Sequence, residues 1–333
     1  MKKGGALVCG GNRGTWSWTD RPDDADVISG IEAWVYALKG KYQWGGDLSE
    51  RDLETYDPIV LNLNPEHLEG YDRILRSTPG RGRVVGLFEG GLADISSTWR
   101  LWSRVADRCH AIMAINGHGL SYVRSLTSRP VALVGIPYPV DGVRRHAIAI
   151  EERGPEVLLC APLLSRPLDY LAARPLGRRM IGFERTFPRR LYEIRRHRSL
   201  DKGIYLRRAG NLYSDPSLDI LPETTPQRYL SRVARTSLWM NLDPRYTWGR
   251  NVLDAAALGV PVVSTRETWH APQLFPDLIV SSPYDIDGAT GMARRLLEDG
   301  EFYSRTVAAA AVGLEEYRVE RCVEKLSGLM AVG

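Results

Sequence analysis

The chain has 333 residues, a length typical of two ordinary domains. With 44% hydrophobic and 25% charged residues it has the composition of a globular protein, and no apolar run is long enough to span a bilayer. The four cysteines are far apart and no signal-peptide pattern follows Met1, which disfavours a disulfide framework or a zinc site and predicts a cytoplasmic protein.

The first half of the sequence alternates segments with the periodicity of strands and of helices. Strands are predicted over residues 6–9, 58–63, 83–88, 111–115 and 131–136. Helices are predicted over residues 28–38 and 97–106, the second with Ser96 and Ser97 as candidate caps. A glycine-rich loop, residues 10–14, follows the first strand. Prolines in residues 137–141 then favour an extended segment that ends this half.

The second half repeats the alternation. Strands are predicted over residues 156–160, 202–206, 237–242 and 278–280. Helices are predicted over residues 185–198, 226–234, 288–297 and 301–330. Strands that alternate with helices in this way are typical of parallel α/β sheets.

Residues 246–265, Y-T-W-G-R-N-V-L-D-A-A-A-L-G-V-P-V-V-S-T, form the most informative segment. A glycine-marked loop leads to a short amphipathic helix, a Gly-Val-Pro turn and a buried strand. With the preceding strand this is the repeating unit of parallel nucleotide-binding sheets, which bind ligands at the carboxyl ends of their strands. The loop at that end carries Arg245, Tyr246 and Arg250, with Asp254 one helical turn further on.

This segment resembles the donor-binding motif of retaining GT-B glycosyltransferases, usually E-G-F-G-x-x-x-x-E-A-x-A-x-G-x-P-V-V. Gly249 aligns with the second glycine, Trp248 with the aromatic residue, and residues 259–263 with the G-x-P-V-V end. Asp254 aligns with the second glutamate. Tyr246 replaces the first, and this departure leaves the stereochemical outcome of transfer open.

The resemblance implies an α/β protein of GT-B type, with two Rossmann-like domains and a cleft between them. Residues 1–140 would form the acceptor-side domain and residues 141–310 the nucleotide-sugar-binding domain. Residues 311–333 would form a C-terminal helix that packs back across the domains. A UDP-sugar is the expected donor. Because no Asp-x-Asp pair ends a strand, we predict no essential metal.

The donor residues follow from the motif. The resemblance implies that Asp254 holds the ribose hydroxyls, as a carboxylate just inside a helix can do. Gly249 allows the backbone to approach the ligand closely. Tyr246, at the position of the motif's first glutamate, is a further candidate donor-binding residue. Guanidinium groups match phosphate oxygens in two-point geometry, so Arg245, Arg250 and Arg166 are candidates for the diphosphate. The alternatives for Asp254 are a surface charge of the helix and a local ion pair with Arg250.

Two residues of the first half are candidate catalytic groups. Glu89 directly follows a predicted strand and precedes two glycines, so it should project from a strand end. There a carboxylate could take the proton of an attacking acceptor hydroxyl. His118, in the sequence Asn116-Gly117-His118-Gly119, is the second candidate for this role.

Positive charge is concentrated in one stretch. Residues 174–208 contain eleven Arg and one Lys against three acidic residues, whereas the whole chain has a net charge of only +4. Such a stretch is a solvated surface, a contact for nucleic acid, or a contact for another anionic partner. The residues that would contact an acceptor or nucleic acid are Arg189, Arg190, Arg195 and Arg196.

The sequence therefore predicts a glycosyltransferase that moves a sugar from a nucleotide-sugar to a hydroxyl acceptor. The resembled enzymes include phage-type transferases that glycosylate hydroxymethylated bases, which makes DNA modification one interpretation of the basic stretch. Two alternatives stay open. A sugar-nucleotide epimerase of the same architecture would isomerise its donor without any acceptor, and a non-catalytic nucleic-acid-binding relative would bind DNA without binding nucleotide.

Overall fold

The computed structural model describes residues 5–21, 25–28, 30–78, 82–89, 92–160, 167–183, 214–222 and 224–332. The chain divides into two compact units. The first comprises Met1–Gly142, Tyr246–Trp248 and Glu315–Gly333, and the second Val143–Arg245 and Gly249–Leu314. Each contains a largely parallel sheet with helices, which confirms the predicted α/β class with two Rossmann-like domains.

The first unit is built on a seven-stranded sheet in the order β2-β3-β1-β4-β5-β6-β7. All neighbouring strands are parallel except β2 and β3. The strands are β1 (Leu7–Gly10), β2 (Thr15–Ser17), β3 (Lys41–Trp44), β4 (Ile59–Asn62), β5 (Val84–Phe88), β6 (Ala111–Ala114) and β7 (Val131–Leu133). The helices between them are α1 (Ala33–Ala37), α2 (Glu50–Thr55), α3 (Leu68–Ser77), α4 (Leu92–Arg108) and α5 (Leu120–Ser125).

Helices cover both faces of this sheet. Alternate residues of a strand point to opposite faces, and in β1 Leu7 and Cys9 join one buried cluster while Val8 joins the other. The first cluster is closed by apolar residues of α2, α3, α4 and α5. The second is closed by α1 and by the last helix of the chain, α13 (Val319–Val332). The sheet is therefore buried on both sides, as parallel sheets require.

The second unit is built on a five-stranded parallel sheet in the order β10-β9-β8-β11-β12. Its strands are β8 (Val157–Leu159), β9 (Met180–Phe183), β10 (Leu218–Leu221), β11 (Leu238–Asn241) and β12 (Val262–Ser264). The remaining helices are α6 (Val140–Arg144), α7 (Leu168–Ala173), α8 (Pro226–Val233), α9 (Arg250–Leu258), α10 (Ala271–Leu274), α11 (Ile286–Glu298) and α12 (Gly300–Gly313).

Local sequence explains where several of these helices begin. The Thr225 side chain accepts the amide of Arg228 at the start of α8, which has Pro at its first position. Asp285 accepts the amide of Gly288 at the start of α11. Asp299 accepts the amide of Phe302 at the start of α12. These side chains satisfy backbone amides that have no partner within their helix.

Several predicted elements differ from the structure. The helix predicted at 28–38 is limited to Ala33–Ala37, because Gly30 has a φ of +83° that no right-handed helix accommodates. The helix predicted at 97–106 begins earlier, at Leu92, so Ser96 and Ser97 lie inside it and not at its start. Its one interruption is Thr98, where φ is −122°.

The carboxyl-terminal predictions also need correction. The strand predicted at 278–280 is a 3-10 helix over Pro276–Leu278, followed by a single bridge from Ile279 to Ser264. The helix predicted at 301–330 is two helices, α12 and α13, separated by the 3-10 turn Leu314–Tyr317. The strand at 202–206 and the helix at 185–198 lie outside the described residues.

All four cysteines are free thiols. Burial raises the pKa of the Cys322 thiol to about 12, so this sulfur stays protonated near neutral pH. Within the described residues no helix is long and apolar enough to cross a membrane. The same part of the chain contains no group of three or more His, Cys, Asp or Glu side chains that could hold a metal ion.

Candidate functional site

The carboxyl edge of the second sheet is a buried polar network. Asn241, the last residue of β11, donates from Nδ2 to Ser264 Oγ and to Thr268 Oγ1, both at 3.2 Å. Ser264, at the end of β12, returns a hydrogen bond to the Asn241 carbonyl at 3.1 Å. These buried groups satisfy one another, which fixes the ends of two neighbouring strands.

The loop that leaves β11 is held by a side chain of α7, by one that follows β12 and by one of its own. The Leu242 amide donates to the buried carboxylate of Asp169, on α7, at 2.6 Å. The Thr265 hydroxyl donates to the Asp243 carbonyl at 3.0 Å. The Arg245 guanidinium donates to both carboxylate oxygens of Asp243, at 3.1 and 2.9 Å. The loop is therefore pre-organised before any ligand binds.

Arg245, predicted to bind diphosphate, is thus already paired. Its side chain is 64% exposed, and its hydrogen bonds to Asp243 raise the pKa of the guanidinium. A phosphate could reach this exposed group only in competition with, or in addition to, the Asp243 carboxylate.

Helix α9 begins at Gly249 in a conformation that only glycine adopts easily. Its φ is +86°, and a Cβ built on it would overlap the Cγ2 of the buried Thr268. Gly249, the N-cap residue of this nine-residue helix, has no side chain that could cap it. The amides of a first helical turn carry partial positive charge, so this end of α9 favours an anion.

Asp254 and Arg250, both predicted to bind the donor, contact each other. Arg250 Nε lies 3.4 Å from Asp254 Oδ2 across one turn of α9. The Asp254 side chain is only 1% exposed and that of Arg250 is 31% exposed. The local ion pair that the sequence left as an alternative therefore exists, with the cation as the accessible member.

In the first unit, Glu89 lies one residue beyond β5, at the carboxyl edge of the sheet. It is exposed, and its Oε2 accepts a hydrogen bond of 2.8 Å from Nδ2 of Asn62. Asn62 is buried at the end of the adjacent strand, β4. A buried amide therefore holds one carboxylate oxygen of an exposed side chain.

The glycine-rich loop after β1 is hydrogen-bonded to β3. The Asn12 amide donates to the Tyr42 hydroxyl at 3.1 Å, and that hydroxyl donates to the Asn12 carbonyl at 3.0 Å. Burial raises the pKa of Tyr42 to about 12, so it keeps the proton that this bond needs. A Cβ on Gly10 would lie 2.5 Å from the Tyr42 hydroxyl, which explains the glycine.

His118 lies in the loop between β6 and α5, with its amide donating to Asn116 Oδ1 at 3.0 Å. The centroid of its ring lies 4.7 Å from the ring centroid of Tyr246, which belongs to the same unit and is 57% exposed. The structure therefore places Glu89 and His118 on one edge of one sheet, at the ends of adjacent strands.

Five predicted residues lie outside the described part of the chain: Arg166, Arg189, Arg190, Arg195 and Arg196. Of the basic stretch 174–208, the structure describes only residues 174–183. The interpretation of this stretch as a nucleic-acid contact stays a prediction.

The structure also identifies polar residues that sequence reasoning missed. Asn62, Asn241 and Ser264 each end an otherwise apolar strand, and this change from apolar to polar is a signal that could have identified them. Asp169 and Thr268 become relevant only through contacts distant in sequence. No local pattern indicates those contacts.

No protein-family model matches the chain, and no curated protein matches it in sequence. Solved structures do match. A glycosyltransferase from Rickettsia africae superposes with a TM-score of 0.67 at 9% identity, over 99% of this chain and 98% of that one. HepE from Anabaena, solved in complex with UDP-glucose, gives 0.65 at 11% identity, over 98% of this chain and 100% of that one. A trehalose-6-phosphate synthase from Burkholderia multivorans gives 0.64 at 11% identity, over 91% and 74%. At these identities the similarity is one of fold.

Proposed function

We propose that this protein is a glycosyltransferase that moves a sugar from a UDP-sugar to a hydroxyl acceptor. The observation that carries the proposal is the uncapped start of α9, at the carboxyl edge of a parallel sheet, with Arg250 and Asp254 in its first turns. A fold shared along nearly the whole chain with HepE, itself crystallised with UDP-glucose, supports the same assignment.

Each group has a distinct role in the proposed donor site. The first-turn amides of α9 and the accessible guanidinium of Arg250 bind the diphosphate. Arg245 adds a contact at the exposed side of the loop, and Gly249 keeps the approach open. Asp254 accepts hydrogen bonds from the ribose hydroxyls and also orients Arg250. No step requires a metal ion.

Glu89 is the general base that deprotonates the acceptor. The acceptor hydroxyl oxygen attacks the anomeric carbon of the sugar and a new carbon–oxygen bond forms. The bond from that carbon to the diphosphate oxygen breaks, and UDP departs with the electron pair. The proton of the hydroxyl moves to a carboxylate oxygen of Glu89, which acts as the general base while the bond forms. His118 is the second candidate for this proton transfer.

The donor site is tested by calorimetric titration with UDP and 2′-deoxy-UDP. We expect Asp254→Ala to raise the dissociation constant of UDP at least tenfold, about 1.4 kcal/mol. Asp277→Ala, an exposed carboxylate of the same unit, should bind UDP like the parent protein.

The deoxy ligand separates the two roles of Asp254. If Asp254 holds the ribose, loss of the 2′-hydroxyl weakens binding to the parent protein but has little further effect on Asp254→Ala, which has no side-chain oxygen to accept from that hydroxyl. If Asp254 acts only through Arg250, the hydroxyl contributes equally in both proteins. Unchanged UDP affinity in Asp254→Ala contradicts the donor site itself.

A further inference from the structure

Asn62 is a polar residue at the end of an otherwise apolar strand. The sequence of β4 is Ile-Val-Leu-Asn, and its four residues are all buried, with Asn62 only 4% exposed. Burial of a carboxamide costs free energy unless its groups are hydrogen-bonded, whereas an apolar side chain carries no such cost. The carboxamide does have a partner, since its Nδ2 donates to Glu89 Oε2 at 2.8 Å.

The backbone of Asn62 is held inside the sheet. β4 lies between β1 and β5, and Asn62 itself pairs with Leu87 of β5. The pairing continues past the strand end, because the Leu63 amide donates to the Leu87 carbonyl at 3.0 Å. The Asn62 carbonyl accepts the Asn64 amide at 2.8 Å. A fixed part of the fold therefore carries the donor group Nδ2.

Glu89, by contrast, is exposed and follows the last residue of β5. Glutamate is among the side chains that lose the most conformational entropy when they are fixed in one position. A general base must lie within hydrogen-bond distance of the proton that it takes, and a misplacement of about 1 Å can slow a reaction about a hundredfold. A hydrogen bond from a rigid neighbour meets this requirement before the substrate arrives.

The chemistry of the two groups fixes the direction of this bond. An ionised carboxylate only accepts hydrogen bonds, so the carboxamide turns its NH2 group towards Glu89. Hydrogen bonds to an ionised group are stronger than those between neutral groups. A carboxylate has about four acceptor sites, so Asn62 occupies one and leaves others for the proton of a hydroxyl.

We propose that Asn62 is a positioning residue of the transfer reaction, which holds the Glu89 carboxylate where it takes the proton of the attacking hydroxyl. This inference rests on the proposed function, since it concerns the base of that reaction. Asn62 acts through Glu89 and not on the donor. Its loss therefore slows only those reactions in which a proton must be removed.

Two reactions of one donor separate proton removal from the other steps. When water attacks the anomeric carbon, a carbon–oxygen bond forms, the bond to the diphosphate oxygen breaks, and one proton of the water passes to Glu89 and then to solvent. When azide attacks, a carbon–nitrogen bond forms, UDP departs in the same way and no proton is transferred. The donor is whichever of UDP-glucose, UDP-galactose and UDP-N-acetylglucosamine the parent protein hydrolyses fastest.

Asn62→Ala removes the positioning group, and Glu89→Gln removes the base. General bases typically contribute about a hundredfold to ten-thousandfold, and Glu89→Gln should lower kcat for hydrolysis by this factor. Asn62→Ala should lower kcat for hydrolysis about tenfold to hundredfold and leave the KM for the donor unchanged. Neither variant should slow azide transfer. Asn64→Ala is a matched control, because Asn64 also follows β4 but its Oδ1 accepts the Glu66 amide, and both reactions should keep the parent rates.

The double variant Asn62→Ala/Glu89→Gln provides a second readout, which needs hydrolysis alone. If Asn62 acts through Glu89, the double variant hydrolyses the donor at the rate of Glu89→Gln, whereas independent effects would multiply. Thermal unfolding of all variants shows whether each remains folded.

Three results overturn the inference: Asn62→Ala hydrolyses the donor like the parent protein, it slows azide transfer as much as hydrolysis, or its effect persists undiminished in the Glu89→Gln background. If Glu89→Gln hydrolyses the donor at the parent rate, sugar transfer stands and this inference falls with the assignment of the base. If the parent protein neither hydrolyses a UDP-sugar nor transfers its sugar to azide, the proposed function fails and this inference fails with it.

Discussion

Replacement of Gly249 by alanine tests the start of α9 most directly. Alanine in the left-handed region costs about 1 to 2 kcal/mol. The added methyl group also overlaps Thr268 Cγ2, and overpacking of a tight site typically costs about 1 to 3 kcal/mol. We therefore expect Gly249→Ala to lower the free energy of unfolding by about 2 to 5 kcal/mol, the sum of these two ranges.

Two further variants separate strain from overlap. Gly177 has a φ of +63° and nothing within 4 Å of an added Cβ, so Gly177→Ala should show the conformational cost alone. Thr268→Ser removes the overlapping Cγ2 and keeps the hydroxyl that accepts from Asn241. The double variant Gly249→Ala/Thr268→Ser should therefore regain the part of the unfolding free energy that the overlap with Cγ2 removes.

The measurement is denaturant unfolding of the four variants, with UDP titration alongside. Gly249→Ala should also weaken UDP binding at least tenfold, because the methyl group displaces the amides that start the helix. The reasoning is refuted if Gly249→Ala costs no more than Gly177→Ala and Thr268→Ser restores nothing.

Two other perturbations act on the second unit. Hydrogen bonds from Ser217 and then Tyr170 lower the pKa of Asp215 to about 2 from an ordinary 3.8, so the stability they confer is present above pH 4 and lost as the pH falls towards 2. The difference in unfolding free energy between the parent protein and Asp215→Asn should therefore shrink over that interval. A constant difference would contradict the assignment. Glu156→Gln weakens two hydrogen bonds from Arg232, of 2.9 and 3.0 Å. In denaturant unfolding it should lower the free energy of unfolding by about 1 to 2 kcal/mol at low salt and by less in 1 M salt. No loss of stability at either salt concentration would show that the pair contributes nothing.

The sequence predicted most of the parallel strands, because burial on both faces makes them continuous apolar runs, as at β5 and β11. The parallel strands β3, β9 and β10 were not predicted. Shorter or more polar strands were not predicted. β2, with the sequence Thr-Trp-Ser, and β3, with Lys-Tyr-Gln-Trp, have no such run, and pairing with neighbours decides their conformation. Helix ends were misplaced where backbone geometry decides, as at Gly30.

Sequence reasoning identified positions in the candidate sites better than it identified partners. It placed Asp254 and Arg250 one turn apart on a helix, and their contact follows from that spacing. It could not show that Asp243 already pairs with Arg245, since either residue could equally face solvent. The link from Asn62 to Glu89 joins residues 27 positions apart, and only the pairing of β4 with β5 brings them together.

Because α13 helps to close one face of the first sheet, that face is completed only late in synthesis of the chain. Val8 and Val60 lie in the same buried cluster as Cys322, Leu326 and Leu329 of that helix. On the ribosome, more than two hundred residues must emerge between the first strands and the helix that covers them. This face therefore lacks part of its cover until α13 is translated, and a fragment that ends at Gly142 would expose that part to solvent and to aggregation.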